Sequence, residues 1–346
     1  MATPALERYT KEQVIPFEPD PFRVCRMERP ITAILSGTGS CVPARIVTND
    51  EFARTLDTSD EWIISRTGIR ERRHAGPGDT TATMGASAAR AALIAAGILP
   101  DDLDLIICAT VTPDLMCPST ACLIQAELEC RTIPAFDISA ACSGFLYALS
   151  VADQYIRTGS AKHVLVVGAE VLSRITDFTD RNTCILFGDG AGAVVLTASD
   201  EPTRGILNIR LSADGSRRDL IRVPSTVTPD TRYLQMNGRE VFKFAVTTLR
   251  AQVQLALDDC ERLGKELALI VPHQVNVRVI DAALEGLGFP ADRVVVNLDK
   301  YGNTSAASVP IALDEAARAG RCGPGDTILL VAFGGGLTWS SALVAL

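Results

Sequence analysis

From Ile31 onward, short runs of apolar, often β-branched residues alternate with longer alanine-rich stretches. "LDLIICATV" (103–111), "HVLVVGAE" (163–170), "LALIVPH" (267–273), "RVVVNLD" (293–299) and "DTILLVAF" (326–333) are nearly continuous in apolar character. That pattern predicts strands buried on both faces. Between them, "TMGASAARAALIAAG", "FLYALSVADQYIRTG", "REVFKFAVTTLRAQVQLALDDCERLG" and "AASVPIALDEAARAG" predict helices, several closing on a glycine that accepts a left-handed cap. Alternating strands and helices predict an α/β fold with covered sheets. The polar stretch "TASDEPTRGILNI" (197–209) marks a seam, giving expected halves over residues 31–200 and 201–346. Residues 1–30 hold Pro4, Pro16, Pro19, Pro21 and Pro30 without a sustained period and are expected to be an extension.

Composition narrows the function classes. The chain is 47% hydrophobic and 21% charged over 346 residues, enough for a substantial core. A net charge of −8 excludes a general nucleic-acid binder, which requires a basic surface, although a local basic patch can still hold an anion. An uninterrupted apolar run of about 18 residues is lacking, so no membrane span is expected. Ten cysteines without a CxxC pair, and no secretory start, predict reduced thiols in a cytosolic protein and no zinc site.

One of those thiols stands apart. In "ISAACSGFLYALS" (138–150), Cys142 falls between a strand-like run and an apolar helix containing Phe145, Leu146, Tyr147, Leu149, Val151 and Ile156. A helix N-terminus there favours a thiolate, whose ordinary pKa is about 8.5. A single such cysteine also fits a packed core. Two further strand ends change the balance: "LIVPHQVN" places His273 after a buried strand, and "YGNTSAAS" places Asn303 in a glycine-containing turn. The chain has three histidines; His74 in "RERRHAG" and His163 at a strand start read as solvated or structural. Cys142, His273 and Asn303 all lie where α/β sheets place their sites.

A Cys, His and Asn set serves two chemistries. In papain-like proteases the His follows the Cys by roughly 130–150 residues, and His273 follows Cys142 by 131. "AACSGF", however, lacks the local protease signature C-G-[SA]-C-[WY]. "GDGAGA" (188–193) is followed by the strand-like "VVLTAS" rather than a helix, so it reads as a glycine hairpin and not a dinucleotide fingerprint.

Over residues 31–346 the chain resembles the β-ketoacyl-acyl-carrier-protein synthase III family of thiolase-like condensing enzymes. The resemblance rests on "TSDEWIISRTGIRERR", "DISAACSGFLYALSVADQYI", "ILFGDGAGAVVL", "VPHQVNVRVI", "YGNTSAASVPIALDEA" and "FGGGLTWSSALV". It implies a five-layer αβαβα fold of two similar halves, a cytoplasmic homodimer, no cofactor and no metal. The implied substrates are an acyl-CoA and malonyl-acyl-carrier-protein, with the acyl carrier protein as partner. Cys142 matches the nucleophile, and His273 with Asn303 matches the pair that stabilises an enolate. Two neutral donors suit a developing oxyanion, each worth roughly 3–4 kcal/mol. The amides of Cys142 and Gly335 match an oxyanion hole. Trp62 matches an adenine-stacking indole, Arg66 and Arg181 match phosphate ligands, and Asn276 matches a residue of the pantetheine tunnel.

Two departures bear on substrates. Cys117 occupies the position where acetyl-primed members carry a Phe that closes the partner subunit's acyl pocket, which predicts primers longer than acetyl. Leu115, Met116 or Leu172 are alternative fillers of that space. Glu285 and Gly286 replace adjacent docking lysines, while Lys243 and Arg278 remain as carrier contacts. An acyltransferase of secondary metabolism is the alternative within the same superfamily.

Overall fold

The apolar runs become strands of two sheets in the computed structural model, which describes residues 31–224 and 233–346. The extension expected over residues 1–30 lies outside the described residues. In the first sheet, β1 (Thr32–Cys41), β2 (Leu105–Ala109), β3 (Ala135–Ile138), β4 (His163–Glu170) and β5 (Gly190–Ser199) take the order β1-β5-β4-β2-β3. β2 is parallel to both β3 and β4, with Val166 opposite Ile107, and β5 is antiparallel to β4 and β1. The second sheet holds β6 (Gly205–Ala213), β7 (Leu267–Pro272), β8 (Thr327–Gly334) and β9 (Thr338–Ala345) in the order β7-β8-β9-β6. β7 and β8 are parallel, whereas β8 and β9 form a hairpin that closes with Gly334 opposite Thr338.

Helices α1 (Asp60–Thr67), α2 (Thr81–Ala96), α3 (Thr120–Leu128), α4 (Gly144–Arg157), α5 (Gly238–Leu263), α6 (Val277–Leu284) and α7 (Ser308–Arg318) complete the layers. Side-chain alternation along the strands sorts the faces. Ile107, Val164 and Val166 share a core with Phe145 and Leu149 of α4 and with Ile328 and Leu330 of β8. Ile106, Cys108, Leu165 and Val167 face the alanines of α2 and Ile124 of α3. Leu329, Val331 and Phe333 pack with Leu249 and Val253 of α5. Both α4 and α7 touch strands of the two sheets, so they form the middle layer of an α-β-α-β-α stack. Burial on most sides explains why α4 carries only two charges, Asp153 and Arg157.

Local details depart from the sequence reading in two places. Residues 293–299 are not a strand: Val294 makes one isolated bridge to Ile270, and the chain turns into the short helix Leu298–Tyr301. The Gln274 side chain diverts it, its Oε1 accepting the amides of Asn297 and Leu298 at 2.9 and 3.2 Å. "GDGAGA" is not a hairpin either, since Gly190 and Gly192 lie inside β5 opposite Glu170 and Gly168 of β4. Left-handed glycines close α2 and α5 at Gly97 and Gly264.

Candidate active site

Three segments bring their ends to one cavity. β3 stops at Ile138, and after two residues the chain winds through the single 3-10 turn Ala141–Ser143 into α4. Ala141 adopts a φ of 48°, a conformation that turns the chain sharply before Cys142. The β8–β9 hairpin packs directly on that turn. A Cβ at Gly334 would stand 2.6 Å from the Cys142 amide nitrogen, so only glycine fits there. Thr338 Oγ1 donates to the Ala140 carbonyl at 3.0 Å and pins the same turn.

His273 follows β7, its amide bonded to the Val331 carbonyl at 2.8 Å and its ring edge-on to Phe333 at 5.5 Å between centroids. Burial pushes the imidazole down to about 3, so it is neutral at physiological pH. Its Nδ1 is buried without a hydrogen-bond partner among the described residues. Asn303 is fixed by its own backbone, which bonds Leu186 and Gly188. Its Oδ1 accepts the Ser305 amide at 2.9 Å, leaving the side-chain NH2 as the available donor. Cys142, His273, Asn303 and Gly335 line a single cavity of about 750 Å³, with Leu172, Phe187, Met236 and Phe244 on its apolar side.

The thiol itself corrects the expectation of a resting thiolate. Burial pushes Cys142 up to about 12, opposed by the neighbouring Ser305 side chain and reinforced by the charge of Glu170. Desolvation therefore outweighs the helix end, and Cys142 rests as a protonated thiol that must lose its proton during reaction.

The remaining sequence candidates separate into groups. The guanidinium carbons of Arg66 and Arg181 lie 5.8 and 5.1 Å from the Trp62 ring centroid. Asn276 caps α6 by accepting the Arg278 amide at 2.9 Å, and its Nδ2 donates to the Arg66 carbonyl at 3.0 Å, tying α6 to the Trp62 helix. None of these four is among the described residues lining the cavity. Leu172 lines it, whereas Cys117 is exposed in a loop. Lys243 and Arg278 are exposed, and Lys243 pairs with Glu240 at 2.8 Å. His74 packs against Phe178, and His163 bonds Thr197 at 3.1 Å; both serve structure. Sequence reading passed over Glu170 and Ser305, although a carboxylate ending the apolar "HVLVVGAE" run was the available clue.

Two stacked sheets around buried helices, with Cys, His and Asn converging on one cavity, define a thiolase-like condensing enzyme. Comparison with known proteins narrows the class. The family description 3-oxoacyl-[acyl-carrier-protein] synthase III matches residues 136–215, and the description of its C-terminal region matches residues 257–346. The β-ketoacyl-[acyl-carrier-protein] synthase III of Rhizorhabdus wittichii is 54% identical over 90% of this chain and 98% of its own. The 3-oxoacyl-[acyl-carrier-protein] synthase III crystal structure from Aquifex aeolicus is 49% identical, with a TM-score of 0.85 over 91% of this chain and 100% of that one. The priming β-ketosynthase of the R1128 polyketide pathway is 38% identical at the same TM-score, over 92% of this chain and 98% of its own. The chain belongs to the 3-oxoacyl-[acyl-carrier-protein] synthase III family and is an acyltransferase.

Proposed function

We propose that this chain initiates fatty-acid synthesis by a two-stage transfer in which Cys142 takes the acyl group of an acyl-CoA and passes it to malonyl-acyl-carrier-protein. The convergence of Cys142, His273 and Asn303 on one cavity carries the reading. In the first stage the Cys142 sulfur attacks the thioester carbonyl, and the amides of Cys142 and Gly335 receive the oxyanion. In the second, loss of carbon dioxide from the malonyl group leaves an enolate. Neutral His273 and the Asn303 NH2 donate to its oxygen, so no strong base is needed. Attack of the enolate carbon on acyl-Cys142 releases 3-oxoacyl-carrier-protein.

Trp62 between two guanidiniums supports a site for the adenine and phosphates of CoA, with Asn276 holding α1 and α6 together along the approach. The apolar wall at Leu172 and the small Cys117 support primers longer than acetyl. Leu115, Met116 and Cys117 are exposed, which supports a homodimer in which this loop meets the partner subunit. Exposed Arg278, with Lys243, supports docking of an acidic carrier. The nine cysteines among the described residues are free, in keeping with a cytoplasmic enzyme. Strands on either side of residues 199–205 support two halves, 31–200 and 201–346.

Intact mass after incubation with acyl-CoAs from C2 to C12 tests the reading. A single acyl adduct absent from Cys142→Ala is expected, labelled faster by C6 and longer primers than by acetyl-CoA. Equal labelling of the variant overturns the nucleophile, and fastest labelling by acetyl-CoA overturns the primer assignment. The likeness to the R1128 priming ketosynthase supports a second reading, priming of a polyketide carrier. Condensation with a polyketide carrier in preference to a fatty-acid carrier would select it.

A further inference from the structure

The two enolate donors reach the cavity on separate segments, His273 at the end of β7 and Asn303 beyond the short helix Leu298–Tyr301. One oxygen uses both donors only where their spacing is held to about 0.5 Å. Gln274, next to His273, is buried but does not line the cavity. Its side-chain amide spends its whole hydrogen-bonding capacity on backbone. Nε2 donates to the carbonyls of Val295 and of Pro272, the residue before His273, each at 2.9 Å. Oε1 accepts the amides of Asn297 and Leu298 at 2.9 and 3.2 Å. The Gln274 backbone amide donates to Oγ of Ser308, the first residue of α7, at 2.7 Å.

We propose that Gln274, together with Ser308, sets the spacing of His273 and Asn303 for decarboxylation, a role that rests on the acyl-transfer reading given above. Leu298 lies five positions before Asn303 and Ser308 five positions after it. The segment that carries Asn303 is therefore tied at both ends to the residue beside His273. The Gly302 amide bonds the Leu298 carbonyl at 2.9 Å, which passes the hold on Leu298 to the residue before Asn303.

A second anchor separates what Gln274 supplies from what keeps the segment folded. Glu315 of α7 accepts the Asn297 side-chain NH2 at 2.8 Å and the Tyr301 hydroxyl at 2.6 Å, holding the short helix against α7. Neither bond reaches His273. The Val295 amide does bond the Ile270 carbonyl of β7 at 2.9 Å, but three residues before His273 and eight before Asn303. Gln274 makes the connection next to the donor itself. It works through His273 and Asn303 and does not touch substrate, so it is a positioning residue. Acylation uses the amides of Cys142 and Gly335 and does not depend on this spacing.

The test uses wild type, Gln274→Met, Gln274→Glu and Ser308→Ala, each acylated on Cys142 and then mixed with malonyl-acyl-carrier-protein at a series of concentrations. Formation of 3-oxoacyl-carrier-protein gives the limiting rate and the half-saturating concentration, and acylation by acyl-CoA is timed separately. Gln274→Met keeps the side-chain length and removes all four of its bonds. It should lower the limiting rate on the order of 100-fold. The half-saturating concentration and the acylation rate should stay within about twofold of wild type, because binding and the first stage are untouched. Gln274→Glu retains an acceptor for the Asn297 and Leu298 amides and should lose less, as should Ser308→Ala, which removes one bond. These two variants decide the question where Gln274→Met does not fold. Condensation at the wild-type limiting rate in both overturns the proposal. So does an equal loss of acylation and condensation, which would mark a structural role. A wild-type protein that no acyl-CoA acylates overturns the underlying transfer reading as well.

Discussion

Cys142 acts in both stages of the proposed reaction, whereas His273 and Asn303 act in one. Replacing either donor by alanine should therefore cut condensation by about 10²–10³-fold and leave acylation of Cys142 within about twofold of wild type, as read by separate single-turnover assays. Comparable losses in both stages would remove the division of labour. These three residues were legible because Cys142 and His273 follow strand-like runs and Asn303 sits in a glycine-containing turn before a helix, all marked by short-range pattern. Glu170 and Ser305 were not, because their setting is made in space: the hydroxyl of Thr110 that meets Glu170 is 60 positions away in the chain. The protonated state of Cys142 was equally hidden. A helix start can be read from sequence, but the packing of the β8–β9 hairpin that desolvates the thiol cannot.

Strands fully buried on both faces were read well, since β2, β4, β7 and β8 leave few exposed positions to blur the pattern. The same logic failed for 293–299, whose apolar residues are buried without pairing along a ladder because Gln274 captures the amides that follow. Glycines in β5 were misread as a turn because the close approach of neighbouring elements requires small residues inside strands too. Gly168 in β4 shows what such an approach demands. A Cβ there would stand 2.3 Å from the Ala306 carbonyl oxygen and 2.9 Å from its carbon, and this backbone belongs to the turn Ser305–Ala307 that follows Asn303. Backbone cannot swing aside as a side-chain tip can. Gly168→Ala should cost about 1–3 kcal/mol in urea unfolding and slow condensation on the order of 100-fold through displacement of Asn303 and Ser305. Wild-type stability with unchanged rates would show that the turn yields freely.

At the scale of the whole molecule, each sheet carries a buried ionisable group at the end of a central strand, Glu170 closing β4 and His273 following β7, and their titrations oppose each other. Glu170 is raised from 4.5 to about 7. Both folded and unfolded chains hold its proton below 4.5; as pH rises from there to about 7 only the unfolded chain releases it, so folding loses about 1.4 kcal/mol per unit. His273 is lowered from 6.5 to about 3. Above 6.5 it is neutral in both states; as pH falls from there only the unfolded chain takes up the proton, and folding again loses about 1.4 kcal/mol per unit. Between 4.5 and 6.5 the two slopes cancel, and below 4.5 the histidine acts alone. The stability of Glu170→Gln relative to wild type should therefore fall as pH is lowered from about 7 to 4.5, whereas that of His273→Ala should rise as pH is lowered from 6.5. Differences between each variant and wild type in urea unfolding free energy remove the contribution of carboxylates common to both, such as Asp104 and Asp114. Any constant offset from altered packing shifts these curves without tilting them, so parallel curves for wild type and both variants would mean that neither group is held away from its ordinary titration by the fold.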